Sequence, residues 1–127
     1  MQHRLYLSLR YLFGIAMTVF GIGNLFQLLP PHRFGGTAGE VMHAFVLSGY
    51  ILQAVGFCQI VLGIALLLNR FIPLALLVFA PIVVNVVLFH LFLDMSSIAM
   101  AMPIVGLTVY FFFSHKSSFA PLFTSRP

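Results

Sequence analysis

Acid is what this chain has least of: among its 127 residues only Glu40 and Asp94 are carboxylates, against six Lys and Arg. Catalysis by a pair of carboxylates is therefore almost excluded. The single cysteine, Cys58, rules out an intramolecular disulfide and any Cys-x-x-Cys relay within the chain, and reads as a small apolar residue of a packed helix. Charge of either sign is scarce, at 6% of residues, where soluble domains carry roughly 25%. With 61% hydrophobic residues, a water-soluble fold of this length cannot hide its apolar surface.

Other signatures are missing too. His3, His32, His43, His90 and His115 lack the close spacing of a metal site, and there is no HExxH motif, so no metal is expected. No glycine-rich phosphate loop follows a strand, and the basic residues are scattered rather than gathered, which argues against nucleotide and nucleic-acid binding. The reading leans away from catalysis by this chain alone. A cleaved leader is not expected, because the first apolar run is too long, Arg10 interrupts it and no small-x-small site follows.

What is present is a set of long apolar runs. Residues 71–93 contain no acid, Lys or Arg, and at ~1.5 Å per residue such a helix crosses a ~30 Å hydrocarbon core. Further runs cover about 5–29, 41–68 and 98–114, continuous rather than alternating, which disfavours a β-barrel. The fold expected is all-α, an integral membrane four-helix bundle formed by a single domain over 1–127. A helix over the whole of 41–68 measures ~42 Å, too long for one span. A break near Ser48 and Gly49 leaves an interfacial helix at about 38–47 and a span at about 49–68.

The connections give an orientation. Arg4, Arg70, Lys116 and Arg126 fall at one set of run ends, while the other connections hold Arg33, Glu40 and Asp94, so the positive-inside rule places both termini in the cytoplasm. Pro30 opens the long first connection, and Asn69 suits a left-handed cap in the tight second one, with Pro73 just beyond. Residues 115–127 read as a mobile tail.

Polarity inside the runs marks candidate contacts. Arg10, Gly14, Met17, Gly21 and Asn24 form one stripe at helical spacing, and Gly49, Gly56 and Gly63 recur in the second span, flanked by Gln53 and Gln59; small residues let helices approach in lipid. Arg10 lies close enough to the membrane face to snorkel, and the sequence leaves open whether it is buried. Pro81 and Pro103 permit kinks, and Gly106 lies on the same side of the fourth run as Pro103. Asn85 is expected deep in the bundle, whereas His90 and Asp94, about 140° around the helix, form a second cluster near the outer mouth. His90 is either a proton acceptor or ligand contact, or a solvated helix end. Asn24, Gln27, Gln53, Gln59 and Asn85 either hydrogen-bond across helices or line a pocket for a small amphiphile such as a quinone.

Three segments, RYLFGIAMTVFGIGNLF, SGYILQAVGFCQIVLGIALLLNRFIPLAL and APIVVNVVLFHLFLD, resemble the DoxX-like family of small four-helix membrane proteins. The first carries that family's arginine-then-glycine pattern in Arg10, Gly14 and Gly21, but Asn24 stands where a basic residue is often found and Gln59 where an acid is often found. A neutral pair there can still join the two helices by hydrogen bonding. The resemblance implies an accessory or quinone-associated subunit of a membrane redox system, with no covalently bound cofactor, the bilayer as surroundings, and other redox subunits or self-association as partners. The alternatives are a structural or assembly protein without ligand and a small-solute transporter.

Overall fold

The structure, a computed structural model, describes residues 2–28 and 34–125; residues 29–33, with Pro30, His32 and Arg33 of the first connection, and Arg126 lie outside them. Four helices are long and apolar enough to cross a membrane: α1 (Gln2–Leu25), α3 (Ile51–Leu68), α4 (Ile72–Phe92) and α5 (Ile98–Ser114), the last extended by a 3-10 turn at Met95–Ser97. A shorter helix, α2 (Gly36–Ser48), lies between α1 and α3, and α6 (Lys116–Phe119) with a second 3-10 turn (Ala120–Phe123) follows α5.

Local chemistry sets the ends. Gln27 turns left-handed at φ 55 and Leu28 N–H reaches back to the Gly23 carbonyl at 2.8 Å, so α1 stops at Leu25, short of the expected 29. Gly49, at φ 77, ends α2, and the Ser48 hydroxyl then accepts from the Ile51 N–H at 3.2 Å, starting α3. Asn69 takes the left-handed cap conformation expected of it, and Phe71 is left-handed as well, which folds α3 back on α4 within three residues. Helices α4 and α5 run uninterrupted through Pro81 and Pro103.

The closest packing joins α1 to α3. Gly14 lies against Gly63 and Gly21 against Gly56, numbering in opposite senses, so the pair is antiparallel, and α4 and α5 follow as successive hairpins. One end of the bundle thus carries the α1 N-terminus, the α3–α4 turn and the α5 C-terminus, with Arg4, Arg70 and Lys116; this is the basic end. The far end carries α2 and the α4–α5 turn, with Glu40 and Asp94.

The filled core sits toward the basic end: Phe13 and Met17 of α1, Leu62 and Leu66 of α3, Leu76 and Phe79 of α4, and Phe111 of α5. Phe119 joins it at 7% exposure, its ring 4.8 Å from that of Phe112. The segment after α5 is therefore held to the bundle at Phe119 rather than mobile from residue 115, because an aromatic seven residues beyond Phe112 folds back onto it. The outer faces of all four long helices present Leu, Ile, Val and Phe, as lipid-facing surfaces do.

Candidate functional site

The polar residues, expected either to bond across helices or to line a pocket, are distributed over three places. The first is the α1–α3 contact, where Asn24 Nδ2 donates to Gln59 Oε1 at 2.8 Å. Gln27 caps α1 by donating to the Asn24 carbonyl at 2.6 Å. Half-buried Gln53 makes no side-chain hydrogen bond among the described residues and does not border the cavity described next. Gly14, Gly21, Gly56 and Gly63 all lie in this contact, but Gly49 and Gly106 do not. A Cβ at either would meet open space among the described residues; Gly49 serves as a cap and Gly106 is exposed.

The second place is a cavity of about 760 Å³ at the far end, between α2, the start of α3 and the second half of α4. Val41, Phe45, Leu52, Val55 and Ile82 contribute apolar wall, and Asn85 and His90 supply polar side chains. Asn85 and His90 are thus not separate clusters. Although they point about 140° apart on α4, α2 and Phe34 cover the second face, so the cavity wraps around the helix. Phe34 packs edge-on to Phe89 and His90, at 5.0 and 6.2 Å between ring centres.

His90 is 9% exposed, which overturns its reading as a solvated helix end. Its Nδ1 lies 2.9 Å from the Val86 carbonyl. A carbonyl only accepts, so Nδ1 carries a proton; Nε2 has no hydrogen-bond partner among the described residues and accepts whenever the ring is neutral. Asn85 is exposed rather than deep in the bundle as expected, because it borders the open cavity; its Nδ2 donates to the Pro81 carbonyl at 3.0 Å, which leaves one amide N–H and Oδ1 for a ligand. Asp94 accepts from Ser96 and Ser97 hydroxyls, both at 2.6 Å, in the turn before α5.

The third place is the basic end. Arg10 is 5% exposed, its guanidinium 4.8 Å from the Tyr11 ring centre, so it is buried rather than snorkelling. One turn earlier, the Tyr6 hydroxyl meets His115 Nε2 at 2.9 Å, joining α1 to the end of α5. Burial lowers the His115 pKa below its ordinary 6.5. This contact and the Phe34 wall were missed in the sequence, where His115 registered only as unfit for a metal. The Tyr6–Tyr110–Phe111 aromatic grouping was the available signal, but it needs the α1–α5 pairing to be recognised.

No curated protein and no solved structure matches the chain. The DoxX family model matches residues 5–91, which takes in α1 through nearly all of α4, including the glycine contact, the Asn24–Gln59 pair and both polar groups of the cavity. The chain is a multi-pass membrane protein with four candidate spans, and it belongs to the DoxX family.

Proposed function

We propose that this protein is an accessory subunit of a membrane redox system in the bacterial inner membrane, and that it holds a small amphiphile with a quinone-like head in the far-end cavity. One observation carries the reading: about 760 Å³ of largely apolar space bordered by an amide and an imidazole. The free Asn85 N–H suits a ligand carbonyl, and His90 Nε2 suits a ligand hydroxyl. A quinone, when bound, supplies the electron chemistry; Asn85 and His90 orient its head, and the α2 and α3 side chains give its body an apolar wall. The basic end, with Arg4, Arg70 and Lys116, faces the cytoplasm in this reading and puts both termini there.

Titrating the detergent-purified protein with a short-chain quinone analogue tests it. Saturable binding is expected, weakened by Asn85→Leu and His90→Phe and unchanged by Gln53→Leu, which lies off the cavity. Absence of saturation, or indifference to the first two substitutions, overturns the proposal.

The Asn24–Gln59 bond supports a second reading, a structural or assembly protein, since these polar groups satisfy each other across α1 and α3 and leave no ligand role for themselves. Under that reading, filling the cavity with Val55→Phe leaves complex assembly in cells intact.

A further inference from the structure

Arg10 poses a charge problem that the rest of the chain does not solve. The residue is 5% exposed, and its Nε and Nη1 are sealed without a hydrogen-bond partner among the described residues, while Arg keeps its charge at all accessible pH. A buried cation of this kind costs several kcal/mol unless an anion meets it. The only two acids, Glu40 and Asp94, belong to the far end, roughly 20 Å away along the bundle from a residue near the start of α1. No counter-charge for Arg10 stands beside it among the described residues.

Two features say what brings it. Arg10 points into the bundle, along the stripe that faces α3 and one turn from Tyr6, which meets α5. A short carboxylate on a neighbouring protein's helix does not reach so enclosed a group, whereas a mobile headgroup does. Nη2, which is not sealed, offers the approach, and α1 meets α5 here through rings, Tyr6 and Phe13 on Phe111 at 5.5 and 5.9 Å. Arg4, Arg70 and Lys116, exposed at the same end, concentrate positive potential where anionic lipid headgroups lie.

We propose that Arg10 is the centre of a lipid site that binds the oxyanion of one acidic lipid, a phosphate or carboxylate, at the basic end between α1 and α5. The site is separate from the far-end cavity and independent of any ligand there. The guanidinium donates charge-assisted hydrogen bonds to the oxyanion, and the acyl chain lies along the apolar helix surfaces.

The experiment is native mass spectrometry with equilibrium titration of the intact protein, using phosphatidylglycerol, phosphatidylcholine, oleate and inorganic phosphate in parallel. Wild type is expected to retain one phosphatidylglycerol or oleate per chain even at about 1 M salt, where a Debye length of ~3 Å strips surface-held lipid. Arg10→Gln is expected to weaken that binding roughly tenfold or more, and Lys116→Gln to leave it in place. The proposal falls if salt removes all acidic lipid, if phosphatidylcholine binds equally, or if Arg10→Gln binds as wild type does. Saturation by inorganic phosphate at the same concentration overturns the lipid as source. Acidic lipid without effect, together with a membrane protein that co-purifies with wild type and is lost in Arg10→Gln, assigns the counter-charge to a partner and overturns it too. Should Arg10→Gln fail to fold, the salt and lipid-class arms on wild type decide alone.

Discussion

Asn24 and Gln59 face each other across α1 and α3, the amide of one donating to the carbonyl of the other at 2.8 Å. They occupy the two positions where resemblance to the family leads one to expect a base and an acid. A neutral pair holds the same helices without the desolvation cost of two ions.

A double-mutant cycle with Asn24→Leu and Gln59→Leu is expected to give a coupling of about 0.6 kcal/mol, and no more than ~2 kcal/mol. Unfolding in mixed micelles, followed by helical circular dichroism, measures it. A coupling of zero would mean that glycine packing alone joins α1 to α3.

The glycines divide by what surrounds them. A Cβ at Gly56 would sit 2.6 Å from the Leu25 nitrogen and 2.7 Å from the Gly21 oxygen, backbone atoms that cannot rotate away. Gly56→Ala should therefore destabilise the bundle by about 1–3 kcal/mol. Gly106 has open space around it, and Gly106→Ala should be neutral or stabilising by up to ~1 kcal/mol. Equal effects at both positions, in the same unfolding assay, would contradict the packing described.

Phe119 is the anchor of the segment that follows α5, at 7% exposure. Phe119→Ala should free residues 116–125 for the loss of up to ~3 kcal/mol of local contact, while the four long helices stay folded. Trypsin cleavage after exposed Lys116 should accelerate sharply with little change in the melting temperature. Unchanged cleavage would show that other contacts hold the segment.

The Tyr6–His115 contact carries a pH dependence. Burial favours the neutral ring in the docked state, so its pKa there lies below 6.5. The contact's contribution is fully present above 6.5, weakens as pH falls below that value, and is lost through the lowered docked value. The same cleavage assay should show faster cutting on mild acidification in wild type and a weaker response in Tyr6→Phe. A response in the opposite direction would place the charged ring in the docked state.

Much of this architecture was legible from residue order, for reasons that are local. Continuous apolar runs of membrane length fix four helices, and Gly49 and Asn69 announce their turns because left-handed backbone suits those residue types. Nearest-neighbour spacing also found the Arg10 to Asn24 stripe. What spacing could not decide is which helix lies opposite. Gly56 and Gly106 read alike until α1 is seen against one and open space beside the other. Asn85 and His90 diverge on an isolated helix, and only the placement of α2 and Phe34 makes them walls of one space. The segment after α5 is polar in composition, and a single phenylalanine reverses the conclusion drawn from it.

The bundle is solid toward the basic end and hollow toward the other. A bilayer squeezes an embedded protein along its whole girth, and an interior packed to crystal-like density yields little, whereas one with a void yields more. The protein's cross-section is therefore stiff toward the basic end, while at the other end the side chains around the cavity have room to shift.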